Sequence, residues 1–303
     1  MALAENLSFW ARLRGLVARY PLTSFFALAF GLSWFAWTPY VLSENGLGLE
    51  PIRFPVILGS TQLLGVLPGA YLGPILSAFV VTALAEGRPG LRRWLGRFLK
   101  WRVSWRWYVS VIVGVPVVLA VTSLPFTREW HLPTLSLLAA YAVGLVIQML
   151  TTGLAEEPGW RDFALPHMQR RFGPLRGTLV LGMLWGTWHL PLFLTEWGGW
   201  PDVHWLPVME FVVSAVMISV VMTWVFNRTG ESLPLAMILH TGVNNFFSVA
   251  WLAMFPAASR QDATDILLIA FTVAAVILIT GTRGRLGYRP AMSAARHHQV
   301  FAR

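Results

Sequence analysis

The chain contains no cysteine, and of its 23 basic residues only Lys100 is a lysine. The missing thiols exclude a cysteine nucleophile, a thiolate metal site and disulfides, so any chemistry must use oxygen and nitrogen. Charge is scarce as well. Charged residues make up 12% of the 303 positions, about half the share usual in soluble domains, while hydrophobic residues make up 56%. Mean hydropathy is +0.59, which calls for lipid as part of the solvent. The formal charge of +9 is not the footprint of a nucleic-acid binder, because the arginines sit in short segments between apolar runs and form no basic domain. Their near-exclusive use in place of lysine hints at a GC-rich bacterial genome, and with it a bacterial cytoplasmic (inner) membrane.

About 20 helical residues cross the hydrocarbon. By that measure eight spans are expected, near 23–42, 62–84, 107–124, 135–156, 177–194, 206–226, 233–254 and 266–281. The first follows Arg12, Arg14 and Arg19 and reads as a retained signal anchor. Gly65, Pro68, Gly69, Gly73 and Pro74 interrupt the second, which predicts a broken or re-entrant start. Alternate connections collect 20 of the basic residues, and the others hold only Arg53, Arg128 and Arg260. The positive-inside rule then places both termini in the cytoplasm. The expected fold is an all-α polytopic membrane helix bundle forming a single domain over 1–303. Its transmembrane core is 22–284 and its basic tail 285–303. The stretch from Arg88 to Trp107, alternating arginine with Leu, Phe and Trp, predicts a cationic helix in the membrane interface.

Ionisable side chains inside spans are functional candidates by default. Of seven histidines only His189 and His240 fall in spans. Glu156 and Glu157 close the fourth span, side by side. Glu157 and Arg161, four apart, share a helical face and can pair; Glu156 is turned away and left without that partner. Pro158 lacks an N–H, which predicts a kink and room for water. His240 and Asn244 also share a face. Taken singly, a carboxylate pair at a span end also reads as interfacial charge, and a lone histidine as a satisfied core residue. Together they point to a polar site inside the membrane. At first count the depths conflict: Glu156 ends its span at the cytoplasmic side, whereas His189 lies well inside the next one.

The order Glu-Glu-x-x-x-Arg, aromatic-x-x-x-His and His-x-x-x-Asn on successive apolar helices, within 153–248, resembles the CPBP family of intramembrane proteases. That family includes the type II CAAX prenyl endopeptidases and the abortive-infection-like bacterial proteins. Trp185 stands where phenylalanine is commoner. The resemblance implies hydrolysis of a peptide bond in a membrane-associated protein or peptide. Glu156 would activate water with help from His189, and His240 and Asn244 would stabilise the oxyanion. Glu157, Arg161 and Trp185 would support them, and no cofactor would be required. A zinc ion held by Glu156, His189 and His240 is the alternative. A non-catalytic immunity or scaffold protein and an ion or proton transporter are the competing functional readings. The arginine pattern places Glu156 toward the cytoplasm, and substrate access from that leaflet is expected.

Overall fold

The computed structural model describes residues 2–57 and 62–290. His297 and His298, and the rest of the expected tail from 291 on, lie outside them. Ten helical segments follow in order: α1 Ala2–Arg19, α2 Pro21–Leu42, α3 Leu63–Ala85, α4 Gly87–Phe98, α5 Trp105–Phe126, α6 Leu135–Phe172, α7 Pro174–Leu194, α8 Trp205–Arg228, α9 Leu233–Met254 and α10 Arg260–Thr282. All but α1 and α4 are long and apolar enough to cross a membrane, which gives the eight expected among the described residues. Local signals set several ends. Pro21 and Pro174 open α2 and α7, where a missing N–H costs nothing. Ser259 and Asp262 cap α10 reciprocally. Gly173, at φ 80°, makes the turn from α6 to α7 in a region of backbone space that suits glycine.

The interrupted second span is neither broken nor re-entrant. It is one helix with a wider turn at Tyr71–Ile75, and its glycines are contact points. Cβ atoms on Gly65, Gly69 and Gly73 would run into Tyr40, Trp37 and Ser33 of α2. Small residues at that spacing let two helices approach closely in lipid. The pair is then locked by Ser33 Oγ donating to Gly69 O and Trp37 Nε1 to Val66 O, each at 2.7 Å.

The fourth span is longer than expected. It does not stop at Glu156 but runs 38 residues from Leu135 to Phe172, with π-helical turns at Met149–Gly153 and Pro158–Ala164. Pro158 therefore widens the helix where a kink was expected: the wider turn absorbs the missing donor and the chain continues. Arg161, counted among the cytoplasmic basic residues, is fully buried within this helix.

Connections 43–57 and 195–204 meet at one end of the bundle, where Asn45 O accepts from Glu196 N at 2.7 Å. At the other end α4 is packed onto the bundle and does more than lie in the interface. Trp94 is buried and donates through Nε1 to Pro158 O at 3.0 Å. Arg97 bridges Asp162 at 2.6 Å and Glu231 at 2.8 Å, while Arg92 and Arg93 stay exposed. Burial disfavours the Arg97 charge, but the two carboxylates outweigh it and raise its pKa above the ordinary value. Past α10, Leu286 is buried and its carbonyl accepts from Asn227 Nδ2 at 2.9 Å.

Candidate active site

The long α6 removes the conflict in depth. Helices α6 and α7 are antiparallel about Gly173; Glu156 lies sixteen residues before Phe172 and His189 fifteen after Pro174. At 1.5 Å per residue the two are level, roughly 23 Å from the turn. Glu156, Trp185, His189, His240 and Asn244 all line one cavity of about 140 Å³. The site is thus assembled from α6, α7 and α9, with α8 closing its side through Phe211 and Ser214.

Trp185 is the hub, which makes specific the supporting role expected of it. Its indole Nε1 donates to Glu156 Oε2 at 2.8 Å, and its carbonyl accepts from His189 Nδ1 at 2.9 Å. Its ring meets that of His240 edge-on, centroids 5.1 Å apart. The Arg161 guanidinium lies 4.8 Å from its centroid, a cation–π contact. A carbonyl oxygen only accepts, so His189 carries its proton on Nδ1 and presents Nε2 as an acceptor.

Glu157 does more than pair with Arg161. Its Oε1 accepts from His240 Nδ1 at 2.8 Å, and its Oε2 lies 3.2 Å from Arg161 Nε, with all the carboxylate and guanidinium atoms buried. The latter contact has ion-pair distance without hydrogen-bond angle, so Arg161 Nε makes no hydrogen bond there. Arg161 is also held through Nη2 by Ser219 Oγ at 3.2 Å and by Met222 Sδ at 3.3 Å. His240 Nε2 is left facing Asn244 Nδ2 at 3.5 Å, a long contact. The arrangement is a carboxylate orienting a histidine that turns its second nitrogen toward an amide.

Sequence reasoning missed three contributors. His189 stacks on Trp197, rings 5.7 Å apart and 9° from parallel, and meets Phe211 edge-on at 5.1 Å. Ser214 lines the same cavity and is 1% exposed. Trp197 falls in a connection, and no periodicity marks Phe211 or Ser214 among other apolar and small residues of α8.

Both histidines engage Nδ1 and leave Nε2 free, and Glu156 gives one of its two carboxylate oxygens to an indole N–H. Among the described residues no three His, Asp or Glu side chains are placed to hold one metal ion.

The fold and the site define a class: a polytopic helical membrane protein with a buried Glu, two His and Asn converging on one cavity. Residues 138–246, which contain all of these groups, match the family described as Type II CAAX prenyl endopeptidase Rce1-like. The resemblance to the CPBP family holds over this segment. A relative is CAAX prenyl protease 2 of Methanococcus maripaludis, 22% identical over 139 residues. That alignment covers 45% of this chain and 49% of the relative, about half the length of each.

Proposed function

We propose that the protein is an intramembrane endopeptidase that hydrolyses a peptide bond of a membrane-associated protein or peptide with water activated by Glu156. The observation that carries this reading is the single buried cavity in which Glu156, His189, His240 and Asn244 meet. Glu156 is the general base: Trp185 fixes one carboxylate oxygen and leaves the other to take a proton from water. His189 Nε2, an acceptor by virtue of its Nδ1–H bond, holds the same water. As water adds to the scissile carbonyl, the developing oxyanion is met by Asn244 Nδ2 and by His240 Nε2–H, whose positive form Glu157 stabilises. Collapse of the tetrahedral species expels the amine, which takes back the proton held by Glu156.

The match to Rce1-like endopeptidases supports the reaction class. The prenyl protease activity in the relative's name belongs to that protein, and a prenyl group is not part of this proposal. The arginine distribution supports both termini in the cytoplasm, and the protein is read as a multi-pass component of a bacterial inner membrane.

The deciding experiment is proteomics of membrane-anchored peptides with wild-type protein and with Glu156→Gln, which is nearly isosteric. Loss of specific cleavage products at unchanged abundance and thermal midpoint is expected; unchanged products would sink the hydrolase reading and favour a scaffold. Cleavage is expected to survive 1,10-phenanthroline, since no step uses a metal. Inactivation by the chelator, restored by zinc, would refute the metal-free mechanism alone.

A further inference from the structure

We infer that substrate reaches the Glu156 cavity from the end of the bundle opposite α4, through a vestibule beside connection 195–204, and that it is a polypeptide segment on the extracytoplasmic face. The nature of the ligand rests on the hydrolase reading; the position of the mouth does not. The inference reverses the expectation of access from the cytoplasmic leaflet.

Toward α4 the site is closed. Trp160, Arg161, Asp162 and Phe163 are buried in successive positions below Glu156, and Trp94 and Arg97 of α4 seal the same turn through Pro158 O and Asp162. At the opposite end lies a second cavity, of about 960 Å³. The two cavities share a wall, since Trp197 and Phe211 line both. These are the rings that pack on His189. One aromatic partition therefore separates the acceptor nitrogen of the site from a space of ligand-binding size. The inner cavity, at about 140 Å³, suits water and one peptide group; the body of a substrate belongs outside it.

Ser214 gives a second indication that this side of the cavity is meant to be filled. Several hydroxyls on the helices fold back onto the carbonyl four residues earlier, as at Ser110, Ser123, Thr187 and Thr229. Ser214 does not, and its buried Oγ has no hydrogen-bond partner. A buried hydroxyl left unpaired is costly, and a peptide N–H or carbonyl entering past Phe211 would satisfy it. Glu196, held by Asn45 and Gln62, and Asp202 line the vestibule, with no Lys or Arg among its described lining residues. That lining accepts neutral or basic segments and disfavours acidic ones. Because the arginine-poor end is the extracytoplasmic one, the substrate lies on that face.

The absence of native cysteine makes single introduced thiols unambiguous reporters. Ser214→Cys (inner cavity) and Leu99→Cys (exposed beside α4) are treated with the membrane-impermeant trimethylammonium-ethyl methanethiosulfonate in right-side-out and inside-out vesicles. Leu99→Cys should react only in inside-out vesicles and Ser214→Cys only in right-side-out ones. Adding Trp197→Ala should speed the Ser214→Cys reaction severalfold, and Thr264→Trp, which plugs the vestibule, should slow it. Leu267→Cys, on the inner cavity wall, reports the same access if Ser214→Cys fails to fold. Faster reaction of the inner thiol in the vesicles where Leu99→Cys reacts, or rates indifferent to Trp197→Ala and Thr264→Trp, would overturn the vestibule. Reaction of Leu99→Cys in right-side-out vesicles would overturn its extracytoplasmic placement. None of these readouts needs hydrolysis. In the Glu156→Gln comparison the lost cuts should map to extracytoplasmic segments; cuts confined to cytoplasmic segments would overturn the substrate assignment and leave the hydrolase reading standing.

Discussion

The tryptophan at position 185 carries a hydrogen bond that phenylalanine, commoner there in the family this segment resembles, is unable to make. The Nε1–Glu156 Oε2 bond at 2.8 Å aims the carboxylate while the indole ring supports Arg161. Trp185→Phe keeps a ring and removes the donor. A hydrogen bond to a charged group is worth about 1.5–3 kcal/mol, so kcat should fall by roughly 10- to 100-fold with a smaller change in KM. Steady-state cleavage of a substrate peptide checks this; a change confined to KM would mean that Trp185 serves binding alone. Arg161 belongs to the same scale. With Glu157 it forms a fully buried pair, and taking away one partner strands the other charge. Arg161→Met should cost about 3–5 kcal/mol in stability, read as a lowered thermal midpoint in detergent.

Among the elements, α6 decides the geometry, because it brings the motif carboxylates level with His189 and must pass close to α3 to do so. A Cβ on Gly159 would sit 2.5–2.7 Å from Pro74 carbonyl and ring atoms, a distance that forces the two helices apart. Gly159→Ala is expected to destabilise by about 1–3 kcal/mol, the usual cost of overpacking. It should also slow cleavage, since Glu156 moves with the helix. Thermal unfolding together with turnover tests both; an unchanged midpoint would show that the approach to α3 relaxes freely. The sequence marked Pro158 as a discontinuity but not its form. A proline removes a donor whatever surrounds it, whereas a wider turn in place of a break depends on what packs there. Here those partners are Trp94 on Pro158 O and α3 against Gly159.

Across the whole molecule, Arg97 ties three segments at the basic end: α4 through its own backbone, α6 through Asp162, and the turn before α9 through Glu231. Arg97→Ala leaves the buried Asp162 unpaired and should lower stability by roughly 3–5 kcal/mol. Asp162→Asn in the same chain should recover part of that loss, because the stranded charge is then gone. A double-mutant cycle on thermal midpoints measures the coupling, expected at about 0.5–3 kcal/mol; additive losses would mean that the contact is incidental. This bracing is why α4, a cationic interfacial helix by sequence, serves instead to close one end of the site. What the sequence by itself determined was the class of solvent, the number of helices long and apolar enough to cross a membrane, and the candidacy of Glu156, His189, His240 and Asn244 for one site. Each of these follows from local quantities: the length of an apolar run, the spacing of arginines, an ionisable group where lipid disfavours one. The depth of Glu156 relative to His189, the bonds of Trp185, the second role of Glu157 and the aromatic partition at Trp197 and Phe211 were decided only by tertiary structure. They depend on where a helix ends and which faces meet, and residues distant in the chain set those through packing.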